Sequence, residues 1–242
     1  MKTLYVVGLG PGNLDMIPVR NLKILQNISP LYLRTERHPA ANELEEQGID
    51  FTSFDDCYEQ HQTFENVYET IVDKLFASLA HHKEIVYSVP GHPFVAEATV
   101  KIIKERAAKE NIELIIAPAM SCLDAIYNVL GLDPTSGILI KDALSLESND
   151  LLLETGLLIT QLYNRQTASD VKLSLMEVYP EEHQVTLVQG ASIPGLEQIK
   201  TIPLYELDRV HWIDHLTSLY VTPLTITQVS GQYDLNKFIK IM

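Results

Sequence analysis

Cysteine, tryptophan and basic side chains are scarce in this chain, and each scarcity closes off a class of function. There are only two cysteines, Cys57 and Cys122, so neither a disulfide framework nor a zinc-ligand quartet is on offer. Lys and Arg number 18 against 32 Asp and Glu, which leaves a net charge of -14. Such a surface repels a phosphate backbone, so no nucleic-acid partner is expected. A cationic small molecule would instead be drawn to it. No stretch reaches the roughly 18 apolar residues of a membrane span, and no membrane association is expected. The apolar run after Met1 is too short for a signal-peptide core and leads straight into glycines. The expectation is a cytoplasmic protein. At 242 residues it can bury enough apolar surface to need no covalent staples.

What is present reads as strands alternating with helices in the first half, the pattern of a mostly parallel sheet covered on both faces. Thr3–Val7 predicts a strand ending in a glycine turn, Pro18–Gln26 a helix, and Leu31–Leu33 a second strand. From Phe64 onward, Val67, Tyr68, Ile71, Val72, Leu75, Phe76 and Leu79 recur at helical spacing, and their stripe is core. Glu84–Val89 predicts a strand, residues 94–109 a helix, and Ile112–Ile116 a strand leading to a helix that ends near Gly131. The second half is less regular, with strand-like runs at Gly156–Leu162, Val185–Val188 and Leu216–Val221 and helical spacing from Ala168 to Tyr179. A two-subdomain α/β chain follows, with divisions expected at 1–115, 116–224 and 225–242. Residues 225–242 read as a linker and the start of a truncated following domain, or else as a frayed terminal helix.

Three segments carry the chemistry. Gly8-Leu9-Gly10-Pro11-Gly12 follows the first strand, and its glycines let backbone approach a ligand. It is not the dinucleotide fingerprint, because the third glycine of that pattern would fall at Asn13. A nicotinamide-dependent oxidoreductase therefore has little support. Pro90-Gly91-His92-Pro93-Phe94-Val95 lies at the carboxyl end of another strand, where ligands of open α/β sheets bind. His92 reads either as a general base or as a loop histidine capping a backbone group. Pro118-Ala119-Met120-Ser121-Cys122 opens a helix; Ser121 is a ligand donor or an ordinary cap, and Cys122 most simply a small buried thiol. His81-His82 suits a helix end better than a metal, and no metal is expected. The acidic run Glu43 to Glu46 reads as a solvated helix face.

In this order the three segments resemble the tetrapyrrole methylase family of S-adenosylmethionine-dependent methyltransferases. The family pattern G-x-G-P-G, G-D-P and P-G-x-S/T-x stands here as Gly8 to Gly12, Gly91-His92-Pro93 and Pro118 to Cys122. Ile202 to Leu207 and the strand before Thr222-Pro223 are similar to its later elements. Arg34 to Pro39, Val89 to Pro93 and Leu162 to Arg165 resemble the branch in which such a domain precedes a MazG-type nucleotide pyrophosphohydrolase. The resemblance implies two α/β subdomains with the cofactor in the cleft between them, a homodimer, a small-molecule methyl acceptor, and S-adenosylhomocysteine as product. It implies cofactor contacts at Gly10, Pro11, Gly12, Pro90, Gly91, His92, Val95, Ser121, Cys122, Leu162, Tyr163, Gly190, Ala191, Thr222 and Leu224. Arg34 and Tyr68 are the candidate substrate residues, and no catalytic residue is assigned. His92 stands where the family has Asp, and Ala119 where it has Gly. Relatives that methylate peptide nitrogens carry an Arg and a Tyr four residues apart on a helix; here Phe64 precedes Tyr68 at that spacing. A second reading is a domain that binds the cofactor in a regulatory or scaffolding role without transferring methyl.

Overall fold

A computed structural model describes residues 2–61 and 63–224. The expected linker and following helix at 225–242 lie outside the described residues. The chain divides into two compact units, Met1–Val129 and Leu130–Met242.

The first unit runs β1 (Thr3–Gly8), α1 (Val19–Asn27), β2 (Leu31–Leu33), α2 (Pro39–Glu46), β3 (Thr52–Ser53), α3 (Asp55–Gln60), α4 (Phe64–His81), β4 (Glu84–Val89), α5 (Ala98–Lys109), β5 (Glu113–Ala117) and α6 (Cys122–Leu130), which ends just past the division. Its strands form one sheet in the order β3-β2-β4-β1-β5, with every neighbouring pair parallel. A parallel sheet needs helices on both faces, and the near-continuous apolar strands β1 and β4 are buried on both. Two clusters fill those faces. One holds Val67, Ile71, Leu75 and Leu79 of α4 with Val100 and Ile103 of α5. The other holds Leu25 of α1 with Ala40, Ala41 and Leu44 of α2. The helices that follow the adjacent strands β1 and β4 thus lie on opposite faces of the sheet. That arrangement opens a crevice beyond the strands' carboxyl ends.

The expected boundary near residue 115 falls inside β5. That strand pairs with β1 and so belongs to the first sheet, which moves the division to Val129. The helix expected over residues 94–109 begins only at Ala98, because Ala96 takes a left-handed φ of 53° and the Glu97 side chain caps the helix.

The second unit contains β6 (Ile138–Asp142), β7 (Gly156–Thr160), α7 (Arg165–Met176), β8 (Gln184–Gln189), β9 (Gln198–Pro203) and β10 (Thr217–Val221). Its sheet, in the order β6-β7-β10-β8-β9, is mixed: β6 and β7 are parallel, while β10 is antiparallel to both β7 and β8. The core under it gathers Ala168, Val171 and Leu175 of α7 with Leu204 and Leu207, which follow β9 in a 3-10 turn. Among the described residues no helix is long and apolar enough to cross a membrane.

Candidate functional site

The three segments singled out in the sequence meet in the first unit. Leu9 donates its amide to the carbonyl of Val89 (2.9 Å), and Gly10 and Gly91 exchange a pair of backbone hydrogen bonds, 3.2 and 2.8 Å long. The turn after β1 is thereby joined to the turn after β4. Both glycines have positive φ, 78° at Gly10 and 63° at Gly91, which L side chains rarely adopt. Gly8 is needed for a different reason. A Cβ there would lie 2.5 Å from the Gly91 carbonyl, 2.7 Å from the Ala119 Cβ and 2.9 Å from the Pro93 ring. The three turns approach so closely that one methyl group separates a fit from a clash.

Two buried side chains fix this junction: Asn21, which did not stand out in the sequence, and His38, which lies in the Arg34–Pro39 segment but had no role assigned. Asn21 of α1, 1% exposed, donates its side-chain amide to the carbonyls of Gly8 (3.1 Å) and Pro118 (3.0 Å). His38, which caps α2, accepts the Ala40 amide on Nδ1 at 3.3 Å. In the neutral ring the proton is then on Nε2, which donates to the Gly10 carbonyl at 3.1 Å. Burial pushes the His38 pKa down to about 4, against the pull of the Gly10 carbonyl and with the help of the Arg34 charge. Glu43 is likewise more than a solvated face residue: its carboxylate accepts the Leu14 amide at 2.7 Å, just past the glycine turn. Long-range bonds of this kind leave no periodic trace in a sequence.

The third segment resolves two of the open readings. Ser121 donates both its amide and its hydroxyl to the Asp124 carboxylate, at 2.7 Å each. Burial works against the charge of Asp124, but these bonds and nearby His92 hold its pKa below the usual carboxylate value. The Ser121 amide is therefore committed, whereas the amides of Cys122 and Leu123, which open α6, point at the Cys122 sulfur and meet no carbonyl among the described residues. The Cys122 residue is exposed overall, yet its sulfur is shielded enough that burial pushes the thiol pKa up, while Cys57 is buried outright. His92 accepts the Phe94 amide on Nδ1 at 3.1 Å, the capping role that was one of its two readings. Pro11, Gly12, Pro90 and Val95 lie on the same joined turns, and Val95 donates its amide to the His92 carbonyl.

Arg34 and Tyr68 also come together. Arg34 extends β2, and Glu97, whose side chain is 3% exposed, places a carboxylate oxygen 3.2 Å from the Arg34 Nε. The other Glu97 oxygen is held by the Thr99 hydroxyl at 2.6 Å, and that hydroxyl meets the fully buried Tyr87 phenol at 3.0 Å. Arg34 Nη1 donates to the Tyr58 hydroxyl at 3.2 Å. Burial pushes the Tyr58 phenol up to about 12 despite the opposing Arg34 charge. Tyr68 is raised for the same reason. Both phenols are therefore neutral hydrogen-bond donors at ordinary pH. Tyr58 was not read from the sequence as part of this cluster.

The candidates of the second unit separate into two groups. Leu162 and Tyr163 follow β7, and Gly190 and Ala191 follow β8. Both turns are bonded to residues at the start of β10: Leu162 donates its amide to the Thr217 carbonyl and Gly190 to that of Leu216, at 3.1 and 3.2 Å. Gln161 and Tyr163 take positive φ values of 60° and 44°, a strained pair around the buried Leu162. Thr222 and Leu224 lie at the other end of this sheet. They follow β10, which runs antiparallel to its neighbours, and Leu224 bonds back to Leu153 ahead of β7. Within this unit the structure does not bring them to Leu162, Tyr163, Gly190 and Ala191. Among the described residues no group of His, Cys, Asp and Glu is arranged to hold a metal.

A parallel α/β unit whose glycine and proline turns join beyond the strand ends, followed by a mixed five-stranded sheet, fits the methylase class of the sequence resemblance. The family model of tetrapyrrole (corrin/porphyrin) methylases matches residues 3–208, and the chain belongs to that family of S-adenosylmethionine-dependent methyltransferases. It is 46% identical over 221 residues to the uncharacterized protein YabN of Bacillus subtilis (strain 168), a match covering 91% of this chain and 45% of YabN. The chain thus spans about half the length of that relative. Among solved structures it is similar to the cobalt precorrin-4 methyltransferase CbiF, with a TM-score of 0.72, 18% identity, and 91% and 94% of the two chains covered. It is also similar to the Thermus thermophilus uroporphyrin-III C-methyltransferase complexed with S-adenosylhomocysteine (TM-score 0.68, 15% identity, 90% and 97% covered).

Proposed function

We propose that this chain transfers a methyl group from S-adenosylmethionine to a small molecule, with the cofactor lying against the joined turns of the first unit. The observation that carries the reading is the convergence of Gly8–Gly12, Pro90–Val95 and Pro118–Cys122 beyond the carboxyl ends of β1, β4 and β5. The residues fit the cofactor. A Cβ at Gly91 would meet only one atom within 4 Å, the Ser121 Cα at 3.9 Å, so a ligand can approach the backbone there. The amides of Cys122 and Leu123, which point at the Cys122 sulfur at the start of α6, would suit its carboxylate. The cofactor supplies a methyl group on a cationic sulfonium, a charge that the chain's acidic surface favours. What the protein has to do is align the acceptor and exclude water. Leu162, Tyr163, Gly190 and Ala191 are proposed as the second unit's contribution to cofactor binding. The family resemblance supports a homodimer working in the cytoplasm. A following MazG-type pyrophosphohydrolase domain is proposed on the resemblance of Arg34 to Pro39, Val89 to Pro93 and Leu162 to Arg165 to that branch of the family.

A second reading, a cofactor-binding domain that transfers nothing, has one observation in its favour: His92 and Glu97 are both engaged in capping bonds and so are poorly placed as bases. Titration calorimetry with S-adenosylhomocysteine and, separately, NADH tests the cofactor assignment. Micromolar binding of the first alone is expected, and binding of NADH alone would overturn it. Transfer of label from methyl-labelled S-adenosylmethionine to a metabolite extract separates catalysis from mere binding.

A further inference from the structure

We infer that Arg34, Tyr58 and Tyr68 form the acceptor subsite, and that it takes a planar aromatic molecule bearing one carboxylate. This inference rests on the methyltransferase reading and names the acceptor class within it.

The guanidinium is built in from behind and left open in front. Its carboxylate partner, Glu97, is tied to α5 through Thr99, and Thr99 is tied to the buried Tyr87. Yet the Arg34 Nε makes no aligned hydrogen bond although Glu97 stands 3.2 Å away. The Nη2 edge has no partner among the described residues, and 24% of the side chain remains accessible. Tyr58 accepts from Nη1 and keeps its own proton to donate. The Tyr68 hydroxyl makes no hydrogen bond to a described residue. One guanidinium edge and two neutral phenols therefore each have a donor to offer. A carboxylate fits that set, since Arg pairs with it through two parallel N–H donors.

The neighbouring surface is aromatic. Phe64, at the start of α4, is 60% exposed. Its ring is stacked on Tyr68 with 6.1 Å between centroids and an interplanar angle of 16°, and it meets Tyr58 edge-on at 6.5 Å. A large side chain held this far out by two aromatic neighbours offers a flat face to a second ring. Arg34 is the one cation in the cluster, and Glu97 already offsets much of its charge. A single carboxylate suits this balance, whereas an acceptor with many carboxylates would meet Glu97 without further cations to offset the repulsion.

The test titrates benzoate into the full chain saturated with S-adenosylhomocysteine, with benzamide as the isosteric neutral control. Benzoate is expected to bind with a dissociation constant of order 1 mM, as suits so small a ligand. Benzamide is expected to bind about tenfold more weakly, and Arg34→Gln to weaken benzoate by about tenfold or more. Because Arg34→Gln leaves Glu97 unpaired and can cost folding, Tyr68→Phe serves as the second variant; it is expected to weaken benzoate about threefold with the benzamide affinity unchanged. Equal affinities for benzoate and benzamide, or benzoate binding indifferent to both substitutions, would overturn the inference. If S-adenosylhomocysteine binds and benzoate does not, the subsite fails alone. If benzoate binds through Arg34 while S-adenosylhomocysteine does not bind, the subsite stands and the cofactor reading fails.

Discussion

Asn21 and Pro118 are 97 positions apart in the chain, yet the Asn21 side-chain amide donates to the Pro118 carbonyl at 3.0 Å while also holding the carbonyl of Gly8. One buried amide thus sets the spacing between the turn after β1 and the turn that opens α6. Replacing Asn21 with Leu leaves the buried Gly8 carbonyl and the part-buried Pro118 carbonyl without their side-chain donor. The expected cost is about 2 kcal/mol in urea unfolding, together with weaker S-adenosylhomocysteine binding. Unchanged stability would mean that the two carbonyls find other partners.

Gly8 and Gly48 provide a paired comparison. Alanine at Gly8 is expected to cost about 1–3 kcal/mol and to weaken cofactor binding, because its methyl would overlap the Gly91 carbonyl. At Gly48 a Cβ meets nothing within 4 Å, so Gly48→Ala carries only the conformational cost of a φ of 71°, about 1 kcal/mol, and leaves binding intact. Cofactor affinity, measured for both, separates packing at the site from general destabilisation.

His38 makes stability pH-dependent in a defined window. Its pKa is about 4 in the folded chain against 6.5 for the free side chain, so the unfolded chain takes up the proton first. The contribution is complete above pH 6.5 and is lost as pH falls from there towards 4. Between pH 7.5 and 5 this amounts to about 2 kcal/mol. His38→Gln keeps a donor for the Gly10 carbonyl but does not titrate. Its stability is expected to fall less than that of the wild type over the same range, and parallel curves would show that His38 is not the group responsible.

Cys122 and Cys57 differ in exposure and should differ in reactivity. A thiol reagent is expected to modify Cys122 before Cys57, slowly because burial pushes the Cys122 thiol pKa up, and Cys57 only on unfolding. With Cys122 at the cofactor turn, S-adenosylhomocysteine at ten times its dissociation constant should slow the modification about tenfold, in proportion to the free fraction. A rate unaffected by saturating ligand would remove Cys122 from the site.

Much of this architecture is legible in the residues themselves. The apolar stripe of α4 and the continuous runs of β1 and β4 have periods that burial alone imposes, and the three motif turns sit where the sequence puts them. The strands β6 and β9 were not legible, because they lie at the edges of the second sheet, where the apolar run of β6 is only Ile138-Leu139-Ile140 and β9 is largely exposed. Strand direction is silent too. Nothing in Thr217–Val221 announces that β10 runs antiparallel, and that direction is what carries Thr222 and Leu224 away from the turns after β7 and β8. The roles of Asn21, His38 and Glu43 were not legible for a related reason: each acts on a backbone carbonyl or amide distant in sequence. Tyr58 could have been suggested by its place on the short acidic helix facing Arg34, but only the sheet order brings the two together.

The central claim is that the joined turns of the first unit bind the cofactor through their backbone. A titration of isotopically labelled protein with S-adenosylhomocysteine, followed by amide NMR, tests it most directly. The account predicts the largest shifts at the amides of Gly10, Gly12, Gly91, Ser121, Cys122 and Leu123. Saturable binding that leaves these amides unmoved would contradict it.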